Sequence, residues 1–447
     1  MFFILLLGLV LSEEYEHAVI YGNTEILGYY YAEIMIGTPP MLQTVIVDTG
    51  SRLTAFPCNG CENCGTHMDQ YFNYLKSASS RLISCDEGVH CSSCNNNVCE
   101  YSQSYAEGSF ISGILIEDKI MLGSSLDHNH FEEAIIGCHQ KETYLFRTQK
   151  ADGIMGLGYS SGNIPSLIDI LYSKNNVNTD IFALCLGREN GYMTIGGYNS
   201  SLHLSSLEWA GLYDTVFYSV KAVDVLLEDS SLNLSSKDFT QYYSSGTIVD
   251  SGTTFTYLTK KVFDAVVEGV KKYCSGEGKC DGEKVSVYGE HMCFKHSSKK
   301  YLDIHDFFNT FPSIKLVVEK ILVEWRPEYY LFSWPNTPDS YCLGFYSNGN
   351  GGSVLGGNFM RGMDVVFDRT EKKIGFAQSD CLVEDLHKPR LTTPVTEHAN
   401  VKSMNYSITL VVVVSCLFTS LVTITIFHVY KKRSAKAQVL EESQEST

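Results

Sequence analysis

Apolar and polar positions alternate from Ile26 to Val47, a period of two that predicts paired strands. Gly37-Thr38-Pro39-Pro40 interrupts the run and predicts a turn, because proline removes an amide donor and glycine accepts the backbone of a tight reversal. Strand-like patterning returns over residues 112–121 and 131–137. Residues 164–172 and 262–273 change period and predict short amphipathic helices; in the second, Phe263, Val266, Val267 and Val270 share one face. Between residues 58 and 99 periodicity disappears among Ser, Asn and Gly, and seven cysteines crowd into the stretch. That predicts a loop-rich insert stapled by its cysteines. Most of the remaining chain reads as β, so the expected fold class is mainly β.

The two ends read differently. The opening run of Phe, Ile and Leu, with Val10 and Ser12 placed for signal-peptidase cleavage, predicts a signal peptide over residues 1–12. Residues 408–430 are almost continuously apolar, and about 20 such residues span a bilayer as a helix. Lys431, Lys432 and Arg433 follow at once, which puts residues 431–447 in the cytoplasm as a tail. Residues 382–407, with Pro389 and Pro394, read as a stalk. The expected topology is a type I membrane protein with a luminal ectodomain. Sequons stand at Asn199, Asn233 and Asn405.

With 447 residues, 44% of them hydrophobic, the chain can bury a large core. A formal net charge of -17 argues against nucleic-acid partners, since phosphate backbones reward Lys and Arg. Of the 15 cysteines, Cys416 falls inside the apolar span. The other fourteen are luminal, an even number that permits seven disulfides. The spacing Cys58-x2-Cys61-x2-Cys64-x2-His67 also fits a zinc site, but an oxidising lumen favours disulfides. Neither a metal nor another cofactor is called for.

Candidate chemistry lies in an internal repeat. Val45-Ile46-Val47-Asp48-Thr49-Gly50-Ser51 is echoed by Thr247-Ile248-Val249-Asp250-Ser251-Gly252-Thr253. Each copy is followed, roughly 105 residues on, by two apolar residues and a glycine: Ile154-Met155-Gly156 and Val354-Leu355-Gly356. A duplication of this kind predicts two similar lobes, over residues 26–205 and 206–381. Asp48 and Asp250 would meet on the axis between them. Like charges that close share a proton, so one acid can take a proton from water while the other gives one to a carbonyl. That chemistry suits amide hydrolysis without a covalent intermediate. Gly50 and Gly252 permit tight turns beside the acids. Thr49 and Ser251 can hydrogen-bond across the lobes, and Ser51 and Thr253 can hold the outer carboxylate oxygens.

With these motifs the chain resembles the pepsin-type aspartic protease family from about residue 26 to 381. The resemblance implies two β lobes, a cleft between them and a hairpin flap over it. The flap motif matches Tyr105-Ala106-Glu107-Gly108-Ser109, with Tyr105 as the flap tyrosine. Within that family the cysteine-rich insert resembles that of nepenthesins. Phe56-Pro57-Cys58, Cys61-Glu62-Asn63-Cys64-Gly65-Thr66-His67, Ile136-Gly137-Cys138-His139 and Trp325-Arg326-Pro327 resemble the plasmepsin V type of apicomplexan secretory-pathway protease. That group is similar in its single span and lack of a long pro-segment. It cleaves after Leu in Arg-x-Leu export motifs. The resemblance implies that Glu107, helped by Gln149, grips the Arg, and that protein or peptide substrates are met by a monomer in the endoplasmic reticulum membrane, with the Golgi as the alternative. It also implies Cys58–Cys138, Cys61–Cys64, Cys85–Cys99 and Cys91–Cys94 bridges. The remaining six cysteines are read as Cys185–Cys381, Cys274–Cys280 and Cys293–Cys342, although sequence alone does not fix connectivity.

Two departures matter. Ala55 stands where many pepsin-like enzymes carry a Trp bonded to the flap tyrosine, and Ala106 stands where plasmepsin V often has a flap cysteine. Two other readings stay open: a broader membrane aspartic protease of β-secretase topology, and an inactive pepsin-like receptor.

Overall fold

A computed structural model describes residues 15–382, apart from 125–129, 161–162, 214–215, 241–245, 282, 288–290, 298–299, 334–338 and 350. The expected signal peptide, membrane span and tail, and the stalk beyond Leu382, lie outside the described residues. Among the described residues no helix is long and apolar enough to cross a membrane.

The duplication seen in sequence is a duplication of strand order. In the first half, Met41–Asp48 pairs in parallel with Gly153–Gly156, which pairs antiparallel with Thr54–Glu62, which pairs in parallel with Glu132–Glu142. In the second half, Thr247–Val249 pairs in parallel with Val354–Leu355, which pairs antiparallel with Thr256–Leu258, which pairs in parallel with Phe345–Ser347. In both, the strand that ends at the acid lies beside the apolar-apolar-Gly segment. Strands buried on both faces read as continuous apolar runs, which is why Val45-Ile46-Val47 does not alternate. Tyr29–Ile36 does alternate, and every second residue of it is buried.

The halves are joined by a shared sheet in the order Glu208–Gly211, Lys373–Gln378, Met363–Asp368, Ile181–Leu186, Asn190–Ile195 and Glu16–Asn23. The body therefore begins at Glu16, ahead of the residue 26 expected from the pattern. Met363–Asp368 of the second half pairs residue by residue with Ile181–Leu186 of the first. One apolar cluster, from Ala18 to Phe376, runs through both halves. The helices expected near residues 164–172 and 262–273 are Leu167–Ser173 and Lys260–Tyr273. The first opens on a capping box in which Ser166 and Asp169 satisfy each other's amides. The second buries Val262, Val266 and Val270, with Phe263 and Val267 at the edge of the stripe.

Among the described residues there are seven disulfides, and five follow the expected pairing: Cys58–Cys138, Cys61–Cys64, Cys185–Cys381, Cys274–Cys280 and Cys293–Cys342. Two correct it. The insert pairs Cys85 with Cys94 and Cys91 with Cys99, not Cys85 with Cys99 and Cys91 with Cys94. The reason is a hairpin the sequence pattern did not reveal. Ser93–Asn95 pairs with Val98–Ser104 around Asn96 and Asn97, both with positive φ, and the Ser92 amide extends the pairing to Glu100. Cys94 lies within the first strand of that hairpin, whereas Cys91 lies ahead of it, beyond a bend at Ser92, and bonds Cys99 on the second strand. Of the sequons, Asn199 accepts hydrogen bonds from the Ser201 amide and hydroxyl, Asn233 is exposed, and Asn405 lies outside the described residues.

Candidate active site

Asp48 closes the strand Met41–Asp48, where its carbonyl accepts from the Leu157 amide at 2.8 Å. Asp250 follows Thr247–Val249, and its amide donates to the Leu355 carbonyl at 2.9 Å. Each carboxyl then turns back onto its own loop. The Gly50 amide donates to Asp48 Oδ1 at 2.8 Å and the Gly252 amide to Asp250 Oδ1 at 2.9 Å. Thr253 Oγ1 donates to Asp250 Oδ2 at 2.6 Å. Ser51 occupies the matching place by Asp48 and favours its charged form, but among the described residues its buried hydroxyl makes no bond as close as that of Thr253.

The loops interlock through four hydrogen bonds. Thr49 Oγ1 donates to the Val249 carbonyl at 3.0 Å and accepts from the Ser251 amide at 3.0 Å. Ser251 Oγ donates to the Val47 carbonyl at 2.7 Å and accepts from the Thr49 amide at 3.1 Å. The two hydroxyls play the same part from opposite sides. Glycine is what lets the acids meet over this cross. A Cβ on Gly252 would stand 2.2 Å from Asp48 Oδ1, and one on Gly50 would stand 2.6 Å from Asp250 Oδ1. Burial pushes the Asp48 carboxyl well above the usual carboxylate range, and the adjacent Asp250 adds to the rise. Ser51 and the Gly50 amide pull the other way without prevailing.

A hairpin of Val98–Ser104 and Phe110–Leu122 carries the candidate flap. Its turn is closed by the Tyr105 amide on the Ser109 carbonyl at 2.9 Å and the Gly108 amide on the Tyr105 carbonyl at 3.0 Å. The Tyr105 ring is half-buried, 4.9 Å from the Phe146 ring. Burial raises its hydroxyl well above the normal phenol range, and the Asp48 charge adds to the rise. Glu107 is exposed at the tip. Gln149 is half-buried just past the short helix Leu145–Thr148, and its Nε2 donates to the Ala151 carbonyl at 3.1 Å. Among the described residues no hydrogen bond joins Glu107 to Gln149.

The family model for eukaryotic aspartyl protease matches residues 29–379, which takes in both acids, both cross-linking hydroxyls and the hairpin. The chain belongs to the eukaryotic aspartyl protease family. Aspartic protease 5 of Toxoplasma gondii is 31% identical over 402 residues, covering 84% of this chain and 39% of that protein. Plasmepsin V of Plasmodium falciparum is 25% identical over 451 residues, covering 83% of this chain and 74% of the relative. A sea urchin (Strongylocentrotus purpuratus) protein named Beta-secretase is 28% identical over 387 residues, covering 79% and 66%. The chain thus spans about two fifths of the Toxoplasma protein and about three quarters of plasmepsin V.

As a member of this family, the molecule has the mainly β, bilobal pepsin-like fold. Its departures are visible in the packing. Ala55 is fully buried opposite Gly137, and the buried Tyr101 ring lies against that glycine, where a Cβ would come within 2.7 Å of Tyr101 Cζ. The cysteines of the possible zinc motif, Cys58, Cys61 and Cys64, are all disulfide-bonded. The fourth member, His67, instead joins Glu142 and His139 in a buried cluster that the sequence reading missed. His139 and Glu142 share the strand Glu132–Glu142, but His67 lies 75 positions before Glu142, so no local period marks the three together. The available signal was a histidine close after a disulfide cysteine in both places, three residues on in Cys64-Gly65-Thr66-His67 and directly after in Cys138-His139.

Proposed function

We propose that this chain is an aspartic endopeptidase that uses Asp48 and Asp250 to activate water. The observation that carries this reading is the meeting of two acids over the reciprocal Thr49–Ser251 cross, each in van der Waals contact with the other loop's glycine. The pair holds one proton, and burial favours it on Asp48. Water attacks the scissile carbonyl carbon and gives a proton to Asp250, while Asp48 gives its proton to the carbonyl oxygen. In the collapse, a hydroxyl of the gem-diol returns a proton to Asp48, Asp250 protonates the departing nitrogen, and the C–N bond breaks. Thr49, Gly50, Ser51, Ser251, Gly252 and Thr253 hold the acids, and Tyr105 closes over the substrate.

For substrate we propose secretory-pathway proteins cut after Leu in an Arg-x-Leu motif. The enzyme would be a single-span, monomeric protein of the endoplasmic reticulum membrane. The resemblance to plasmepsin V supports this, as does the exposed flap carboxylate of Glu107, which can take a guanidinium bidentately. Gln149 assists from the far side of the Arg. The similarity to a β-secretase supports a second reading, a broader-specificity membrane protease.

One peptide assay on the full-length chain decides between them. We expect a fluorogenic Arg-x-Leu peptide to be cut after Leu, cleavage to vanish in Asp48→Ala, and kcat/KM to fall at least tenfold with Glu107→Ala or an Arg-to-Lys peptide. Equal cleavage of the Arg and Lys peptides would leave the broader protease. No cleavage by folded protein from acidic to neutral pH would remove the proteolytic reading.

A further inference from the structure

Three buried side chains take no part in the chemistry above. His67 follows the Cys61–Cys64 bridge, and His139 and Glu142 end the strand Glu132–Glu142. All three side chains are shielded from solvent. Glu142 Oε1 accepts from His139 Nδ1 at 2.7 Å. Glu142 Oε2 faces His67 Nε2 at 3.1 Å and accepts from the Gly65 amide at 3.2 Å. The other ring nitrogen of His67, Nδ1, lies 3.2 Å from the Gln149 carbonyl oxygen.

The partners of His67 fix its charge. A carbonyl oxygen only accepts hydrogen bonds, and so does an ionised carboxylate. Both bonds therefore form together only when the ring carries two protons. His139 has no such demand: among the described residues its buried Nε2 has no partner, as suits a neutral ring. The cluster is then a His67 cation and a Glu142 anion, with neutral His139 completing the carboxylate's contacts. Burial opposes charge on His67, but Glu142 and the Gln149 carbonyl outweigh it and raise its pKa. Burial likewise opposes charge on Glu142, yet its two histidines hold it at about 2. Burial lowers His139. Of the other groups around His67, Tyr71 donates its hydroxyl to the Gly65 carbonyl, and Asp152 accepts from Thr44 and from the Asp69 amide. Burial and Asp152 push Asp69 up to about 7. Arg147 and Lys150, next in the chain, are exposed.

What the cluster holds is the segment between its two anchor points, residues 142–149. Thr143 is bonded to the flap hairpin just past its turn, its amide to the Phe110 carbonyl at 3.0 Å and its hydroxyl from the Phe110 amide at 2.8 Å. The Leu145 amide donates to Ser109 Oγ at 3.2 Å. Tyr144 sits at φ 45° and ψ −117°, a strained backbone that persists only when its surroundings hold it. Phe146 then places its ring 6.0 Å from His139 and 4.9 Å from Tyr105. The insert lies so close on this segment that a Cβ on Gly65 would come within 2.1 Å of the Arg147 carbonyl oxygen.

We propose that His67 is a positioning residue for substrate binding: as a cation it clamps both ends of residues 142–149 and so fixes Phe146 beneath the flap tyrosine Tyr105. This gives the cysteine-rich insert a task, to deliver one histidine to the underside of the flap in a fold that lacks the Trp restraint. The proposal rests on reading Asp48 and Asp250 as the proteolytic centre and Tyr105 as the flap.

The test uses the full-length chain and two readouts. The first needs no turnover: NMR titration of isotope-labelled His, Phe and Tyr rings. We expect His67 to titrate above about 6.5, the value of a free histidine. The Phe146 and Tyr105 signals should shift with the same midpoint, and Glu142→Gln should lower that midpoint. Tyr105 and Phe146 signals that ignore the His67 proton would overturn the clamp, even if every variant failed to fold or the chain cut no peptide. The second readout is kinetic. In His67→Gln we expect KM to rise about tenfold, the worth of one charge-assisted hydrogen bond, with kcat within about twofold. The wild-type rise of KM through the His67 midpoint should be absent. Unchanged KM and an unchanged pH profile would make His67 a fold-stabilising residue only. A wild type that cuts nothing defeats the proteolytic reading and leaves the clamp to the NMR result.

Discussion

The close approach of the two carboxyls depends on atoms that are missing. Where Gly252 faces Asp48 Oδ1, a methyl group would overlap it at 2.2 Å, and neither backbone is free to retreat because Thr49 and Ser251 bind them together. We therefore expect Gly252→Ala to lower kcat by about 100-fold or more while the protein still folds, since displacing a reacting group by about 1 Å has that effect. Steady-state kinetics beside a circular-dichroism melt would check it. Asp48 makes a second, opposite point. Its folded pKa lies above the unfolded value, so its contribution to stability is fully present below about pH 3.9 and is lost as pH rises through the folded value. At neutral pH the buried acid is a liability. Asp48→Asn, inactive by design, should melt a few degrees higher than wild type at pH 7, and the gap should close near pH 3. Calorimetry at the two pH values tests the sign.

At the scale of elements, the parts of the site that could be read in advance are those written locally. Val45-Ile46-Val47-Asp48 and its echo announced two strands running into acids, because a strand buried on both faces has no polar positions to hide. The helix Lys260–Tyr273 was legible from its stripe of valines. What stayed hidden was made by contacts between distant positions. The first strand, Glu16–Asn23, draws its burial from Asn190–Ile195, which lies far along the chain. The Asn96–Asn97 turn sets which cysteines of the insert can meet, and a count of spacings does not register it. The cluster of His67, His139 and Glu142 has no periodic signature, since His67 comes from the insert and meets His139 and Glu142 on a sheet strand that lies about 70 positions further on. Glu107 and Gln149, by contrast, were named from the family resemblance, and the roles proposed for them await a bound substrate.

The whole molecule is closed by the sheet that mixes its halves, and one covalent bond reinforces that closure. Cys185, in the strand Ile181–Leu186, is bonded to Cys381 across 196 residues. Chain entropy makes so long a loop worth about 5 kcal/mol, against about 2.5 kcal/mol for the 9-residue Cys85–Cys94 loop. Removing the long bridge by Cys185→Ala with Cys381→Ala should cost roughly twice as much stability as removing the short one, measured by urea midpoints in an oxidising buffer. The same topology has a consequence in time. Thr49 and Ser251, which bind the two acids' loops to each other, are 202 residues apart. A ribosome adding about 5–20 residues per second needs about 10–40 s to supply the second after the first. Through that interval the growing chain holds one acid with nothing to share its proton, and Ile181–Leu186 still waits for Met363–Asp368. The proposed site is thus made first as an unpaired half, and the two acids can meet only after Ser251 and the later strand Met363–Asp368 have been added.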